Sequence, residues 1–205
     1  MRLSVVIPTF GRQKEVQACV TALLAQEKVN LEIMVIDQND GNFLSDFLPT
    51  EIKNNIQLVQ GLRPNVSLAR NEGFRKTTNE LILFIDDDLL PGPNFCWRAI
   101  KVLEENTEID ALAPLIELRD GSADSNEKLK TSSKSISEHL HQIPDTISAA
   151  FFIRRKVYEK VGGFDPHLFD LVKSTEDKEF FTRMNDNGFR LFLDTSLKIL
   201  HLESQ

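Results

Sequence analysis

Cysteine is scarce: Cys19 and Cys96 are the only two among 205 residues. Both fall in apolar, helix-spaced patterns, which predicts reduced core residues and excludes a disulfide framework. Long apolar runs are also missing. None approaches the ~18 residues that a membrane span needs, and the N-terminal Met-Arg-Leu-Ser-Val-Val-Ile-Pro is too short and strand-like for a signal peptide. The expectation is therefore a cytoplasmic chain without a transmembrane segment, with peripheral membrane contact left open. A basic tract is absent too. With 24 Lys and Arg against 31 Asp and Glu, net charge is −7, which argues against a nucleic-acid partner. A nucleotide ligand is not excluded, because a bound cation and a few arginines reverse the sign locally. There is no internal repeat, and no glycine-rich phosphate loop opens the first helix, which argues against a nucleotidyltransferase.

What remains is an ordinary soluble composition, 41% apolar and 27% charged, in a length that suits one domain with a sizeable core. The most informative stretch is Glu80–Pro91. Leu81 to Ile85 is a continuous apolar run, the mark of a strand buried on both faces of a parallel sheet, and it passes directly into Asp86-Asp87-Asp88. A chain this acidic contains about one such triple by chance, so the triple alone says little. Its position says more, since ligands of open α/β sheets bind outside the carboxyl ends of the strands. Crowded carboxylates there repel unless a cation sits among them, and the reading is a hard divalent metal bound through Asp86 and Asp88. The competing reading is a solvated acidic turn closed by Leu89-Leu90-Pro91.

The first half alternates strand and helix patterns. Strands are expected at Leu3–Ile7, Leu31–Ile36, Ile56–Val59 and Leu81–Ile85, and helices at Arg12–Ala25, Phe43–Leu48, Val66–Arg75 and Pro93–Asn106. That order predicts a mostly parallel sheet with right-handed crossovers. The second half is less regular. Strands at Ala111–Ile116 and Ile147–Ile153, a helix at Arg155–Val161, a second at Glu176–Asn187, and two short strands, Arg190–Leu193 and Leu197–Leu200, are expected to form a smaller mixed part. The polar 119–145 stretch reads as a long loop.

Strand ends in the first half deliver polar groups to one rim: Pro8-Thr9, Asp37, and Asp86 to Asp88. Taken singly, Thr9 reads first as a helix cap, and Asp37 also reads as the start of an Asx turn. Arg70, early in its helix, either meets a base or diphosphate or pairs with Asp37 or Glu72. Asp177 sits in Ser174-Thr-Glu-Asp, which also reads as a helix start with acids in its first turn.

The motifs Ser4-Val-Val-Ile-Pro-Thr-Phe-Gly-Arg12, Val35-Ile-Asp37, Leu68-Ala-Arg-Asn-Glu-Gly73, Phe84-Ile-Asp-Asp-Asp88, Phe151 to Asp165, Thr175-Glu-Asp177 and His201 occur in one order. This series resembles family 2 glycosyltransferases of the GT-A fold, across nearly the whole chain. The resemblance implies a Rossmann-like single domain over 1–205, with 1–114 as the nucleotide-sugar half and 115–205 as the acceptor and catalytic half. It implies that Pro8, Thr9 and Asp37 hold the nucleoside and that Arg70 lies against base or diphosphate. Asp86 and Asp88 become the D-x-D pair, and His201 a further ligand of Mn²⁺ or Mg²⁺. Gly163 would let backbone approach the donor sugar, and Asp177 would be the catalytic base. The implied reaction moves a sugar from a nucleoside-diphosphate sugar, leaning to UDP, onto a hydroxyl of a glycan, lipid-linked or other acceptor, with inversion by single displacement. A non-catalytic nucleotide-sugar binder of the same fold is the alternative. Two departures stand out: Asp37-Gln-Asn-Asp40 replaces the usual Asp-x-x-Ser, and Asp87 has no assigned role.

Overall fold

The computed structural model describes residues 1–122, 135–171 and 175–202. Four parallel strands open it, in the spatial order β3 (Gln57–Gln60), β2 (Asn30–Asp37), β1 (Arg2–Thr9) and β4 (Leu81–Ile85). Alternation within each strand sends Val5 and Ile7 to one face and Val6 to the other, and likewise Leu83 and Ile85 opposite Ile82 and Phe84. Helices therefore cover both faces. α1 (Gln13–Leu24), α2 (Phe43–Phe47), α3 (Thr50–Lys53) and α5 (Phe95–Glu105) pack on the first face. α4 (Val66–Lys76), α6 (Arg155–Val161) and α8 (Glu176–Asp186) cover the second, where Phe84, Phe151, Phe180 and Phe181 are fully buried. Cys19 and Cys96 are free and buried in the first core, and burial pushes both thiols up, Cys96 to about 12.

Beyond β4 the sheet turns mixed. β8 (Ala150–Arg154) is antiparallel to β4, β6 (Ala111–Glu117) follows it, and β9 (Leu191–His201) runs parallel to β6. β9 is one strand where two were expected. The interruption at Asp194–Ser196 is a bulge: the Asp194 carboxylate accepts from the backbone of Ser196 and Leu197, and the register with β6 shifts between Pro114 and Leu115. Two short strands finish the far side of β9, namely β7 (Leu140–Ile143) and β5 (Leu89–Pro91). β7 lies within the stretch expected to be a loop, of which 123–134 falls outside the described residues. α7 (Pro166–Leu171) was also not foreseen; the Asp165 carboxylate accepts from the backbone N–H of His167 at its start.

Helix α4 lies close enough to β1 that a Cβ on Gly73 would overlap Val6 Cγ1. Gly73→Ala is expected to destabilise by roughly 1–3 kcal/mol, overpacking outweighing the ~1 kcal/mol that alanine brings to a helix. The urea midpoint reports it; an unchanged or raised midpoint would show that α4 can lift off the sheet.

Candidate active site

Three segments meet at the rim beyond β1, β2 and β4, and β8 brings a fourth. Antiparallel pairing sets Ala150 against Ile85, and Asp86 N–H donates to the Ala149 carbonyl at 2.7 Å. The residue before, Ser148, therefore stands beside the acidic triple, although it lies 62 positions later in the chain. β5 closes the other side. Its pairing with β9 places Leu89 opposite His201, and Leu202 N–H donates to the Asp88 carbonyl at 2.7 Å.

Every carboxylate of the triple is paired, and Asp87 and Asp88 share Arg12. Asp86 Oδ1 takes Arg70 Nη2 at 3.0 Å. Asp87, buried, takes the Thr9 hydroxyl at 2.6 Å and Arg12 Nη1 at 3.0 Å. Asp88 Oδ2 pairs with the same Arg12 nitrogen and lies 3.3 Å from His201 Nε2. Burial pushes the Asp86 carboxyl up to about 7; Arg70 opposes this, while Asp88 and Asp87 add to it. Burial also raises Asp87, against the pull of Thr9 and Arg12. Burial works against the charge on Arg12, yet Asp88 and Asp87 outweigh it and hold that guanidinium above its ordinary value.

Arg70 is the centre of the arrangement. It is 3% exposed and its guanidinium lies 5.1 Å from the ring of Phe164. One nitrogen reaches Asp86 and the Ser148 carbonyl at 3.1 Å; the other reaches Asp177 Oδ1 at 3.4 Å. Neither Asp37 nor Glu72, the ion-pair partners weighed from the sequence, is the one it takes. Asp177 is held from both sides. Ser148 gives it a backbone N–H to Oδ2 at 3.0 Å and its hydroxyl to Oδ1. The carboxylate thus turns to β8 and α4 instead of capping its own helix. An ionised carboxylate oxygen accepts two in-plane bonds, so Oδ1 is saturated while Oδ2, among the described residues, keeps one direction open, on a side chain 21% exposed.

The other expected residues lie on the same rim with their side chains engaged. Thr9 is buried, its hydroxyl given to Asp87, and it does not cap α1, whose N-cap is Arg12. Pro8, one residue earlier on β1, is buried opposite Ile36. Asp37 makes the Asx turn, accepting Asn39 N–H at 3.0 Å, and also holds Leu44 N–H at the start of α2. Gly163 has φ +80°, and a Cβ there would meet Asn71 Oδ1 at 2.5 Å. Asn71 in turn binds both backbone groups of Phe164, so this turn is tied to α4 beside Arg70. Of the expected metal ligands, Asp88 and His201 converge while Asp86 faces Arg70. Among the described residues no group of three or more His, Cys, Asp or Glu is arranged around a common point. The convergent pair still fits a divalent cation in part: a carboxylate oxygen and an imidazole nitrogen suit Mn²⁺, with further positions left to ligand and water oxygens.

Sequence reasoning missed Ser148, Asp87 and the site role of Arg12. No local pattern marks Ser148, whose relevance depends on the β4–β8 register. Phe10, 56% exposed, was likewise passed over, though Gly11 N–H ties its loop to Asn39 at 2.8 Å.

Residues 4–162 match the family described as Glycosyl transferase family 2. The chain belongs to that family. Among its relatives, glycosyltransferase AglE of Haloferax volcanii is 23% identical over 196 residues, covering 92% of this chain and 63% of AglE. S. aureus TarS 1–349 in complex with UDP-GlcNAc superposes with a TM-score of 0.80 at 18% identity, over 100% of this chain and 59% of that one. Mannosyltransferase PcManGT from Pyrobaculum calidifontis, in complex with GDP-Man and Mn²⁺, gives 0.79 at 18%, over 100% and 57%. At such identities these structures establish the fold, GT-A, as the motif series implied. The chain spans less than two thirds of the length of each of these proteins.

Proposed function

We propose that this family 2 chain transfers a sugar from a nucleoside-diphosphate sugar to an acceptor hydroxyl, with inversion by single displacement. The observation that carries the reading is Arg70. One buried guanidinium joins Asp86 of the acidic triple to Asp177, so donor side and base side are fixed to each other. Pre-set orientation of this kind is a large part of what an enzyme contributes to a bimolecular transfer.

The open direction on Asp177 Oδ2 is where an acceptor hydroxyl would hydrogen-bond, and Oδ2 would receive its proton as the oxygen attacks the anomeric carbon. Ser148 and Arg70 keep that oxygen aimed. The nucleoside would lie along Pro8, Thr9 and Asp37, where Thr9 acts through Asp87 and Phe10 offers an exposed ring. Gly163 would admit the sugar close to backbone. A divalent cation, Mn²⁺ or Mg²⁺, would be held by Asp88 and His201 with Asp86 beside them, and would supply electrostatic stabilisation of the leaving diphosphate. Residues 1–114 would carry the donor and 115–205 the acceptor side, with the 119–145 stretch shaping it. PcManGT, crystallised with GDP-Man, and TarS, with UDP-GlcNAc, support a nucleoside-diphosphate sugar without choosing the base. UDP is the first donor nucleotide to try. The non-catalytic alternative is less favoured, because a pure binder has no use for a carboxylate held with one acceptor direction open.

The test is a thermal-shift series with UDP or GDP, with and without MnCl₂, at pH 6 and pH 8. Asp86 has its pKa raised in the fold, to about 7. Its proton uptake therefore stabilises the ligand-free protein fully below the ordinary carboxylate range, and that contribution fades as pH rises through 7. Cation binding has the opposite sense, because an ionised Asp86 beside Asp88 adds to the negative charge that holds the ion. The Mn²⁺-dependent shift with the diphosphate is expected to be clearly larger at pH 8, since one pH unit below a pKa leaves only about a tenth of the carboxyl ionised. No metal-dependent shift with either nucleotide would remove the donor reading. Equal shifts at both pH values would take Asp86 out of the cation site.

A further inference from the structure

Arg12 holds a position that the donor-site reading leaves unexplained. It lies on the β1–α1 loop with its side chain 41% exposed, yet it is ion-paired to two buried carboxylates. Both contacts use Nη1. Among the described residues Nη2 and Nε have no hydrogen-bond partner, so most of the guanidinium fork faces the rim unengaged. Arg12 is also the N-cap residue of α1 but gives that helix no side-chain bond, so the side chain can move without loosening it. Finally, its partner on Asp88 is Oδ2, the same oxygen that lies 3.3 Å from His201 Nε2.

We propose that Arg12 is a diphosphate ligand held in reserve, stored on Asp87 and Asp88 until a divalent cation takes Asp88. The inference rests on the donor-site reading above and adds a residue and an order of events to it. A divalent cation on Asp88 weakens the hold of that carboxylate on Arg12, because it draws on the same negative charge. The ion on Asp88 and His201 repels the guanidinium, and the nearest new anion is the diphosphate that accompanies the metal. Asp87 is not stranded by the move, because the Thr9 hydroxyl remains on it at 2.6 Å. Arginine suits both stations, since its planar fork matches carboxylate and phosphate alike. Without donor, the stored arginine neutralises part of the acidic triple; with donor, it faces the charge that grows on the leaving group. The site then binds metal weakly alone and well together with a diphosphate.

Isothermal titration of MnCl₂ into the full chain without nucleotide, then of UDP at saturating Mn²⁺, tests this on wild type, Arg12→Gln and Arg12→Lys. Arg12→Gln is expected to bind Mn²⁺ about five- to tenfold more tightly than wild type and UDP about tenfold more weakly, the scale of one charge-assisted contact. Arg12→Lys, which keeps the charge but not the fork, should lie between them in both titrations. Equal Mn²⁺ affinity in wild type and Arg12→Gln overturns the storage role. Tighter Mn²⁺ with unchanged UDP affinity overturns the phosphate role. Absence of Mn²⁺-dependent UDP binding by all three proteins sinks the donor-site reading itself, an outcome distinct from the other two because there wild type still binds UDP with the ion.

Discussion

Replacing Asp177 by Asn is expected to leave Mn²⁺-dependent UDP binding nearly intact and to lower sugar transfer by about 10²–10⁴-fold, the usual worth of a general base. The asymmetry follows from the geometry. An amide keeps the shape that Ser148 and Arg70 hold, and its oxygen can still take the Ser148 hydroxyl and the Arg70 N–H at the Oδ1 position. The nitrogen then occupies the Oδ2 position, where it gives up the Ser148 backbone N–H bond and cannot accept a proton from an acceptor hydroxyl. Turnover with a responsive acceptor, measured beside nucleotide titration, separates the two effects. Undiminished turnover would leave Asp177 as no more than an anchor for Arg70.

The second large effect concerns folding. Arg70→Met removes the guanidinium that joins Asp86 to Asp177 and takes the Nη2 donor from the Ser148 carbonyl. Breaking a fully buried ion pair from one side costs about 3–5 kcal/mol, and because Asp86 and Asp177 stay partly exposed the lower end, about 3 kcal/mol, applies here. For a chain of this length that is a fall in Tm of roughly 10 °C. Asp88 and Asp87 add to the strain on Asp86, whose carboxyl already stands at about 7 with Arg70 in place. The variant is therefore expected to lose less at pH 5, where Asp86 is protonated, than at pH 8. A melting curve that hardly moves at pH 8 would mean that water or lysine reaches these carboxylates when arginine is gone.

The parts of the fold that the sequence carried were those written in local periodicity. Leu81–Ile85 and Arg155–Val161 have the bounds expected of them, and the parallel order of β1 to β4 follows from alternating strand and helix patterns. Local signals failed where pairing decides. Leu89-Leu90-Pro91 reads as a stop, since proline gives no N–H to a ladder, but as a last strand its outward side needs none. β9 reads as two strands because Asp194 and Ser196 favour turns; a bulge absorbs them. The site divides the same way. Its chemistry-bearing carboxylates sit at strand ends, where the motif series points. Their partners do not: Arg12 reaches Asp88 across 76 positions, Thr9 reaches Asp87 across 78, and Arg70 reaches Asp177 across 107. The β1–β4 pairing brings Thr9 and Arg12 to the triple, and the registers of β8 and β9 bring Ser148 and His201 beside it.

The sheet order has a consequence for how the molecule behaves among its own copies. A sheet with open ends, nine-stranded among the described residues, invites another chain to add a strand. Here β3 ends one side after four residues, and on the other side β7 and β5 share the flank of β9 with four and three. β5 also ends in Pro91, which removes one of the few donors a visiting strand would need. Short, interrupted flanks of this kind offer no continuous ladder, so a sheet this wide can stay resistant to fibril-like stacking at high concentration.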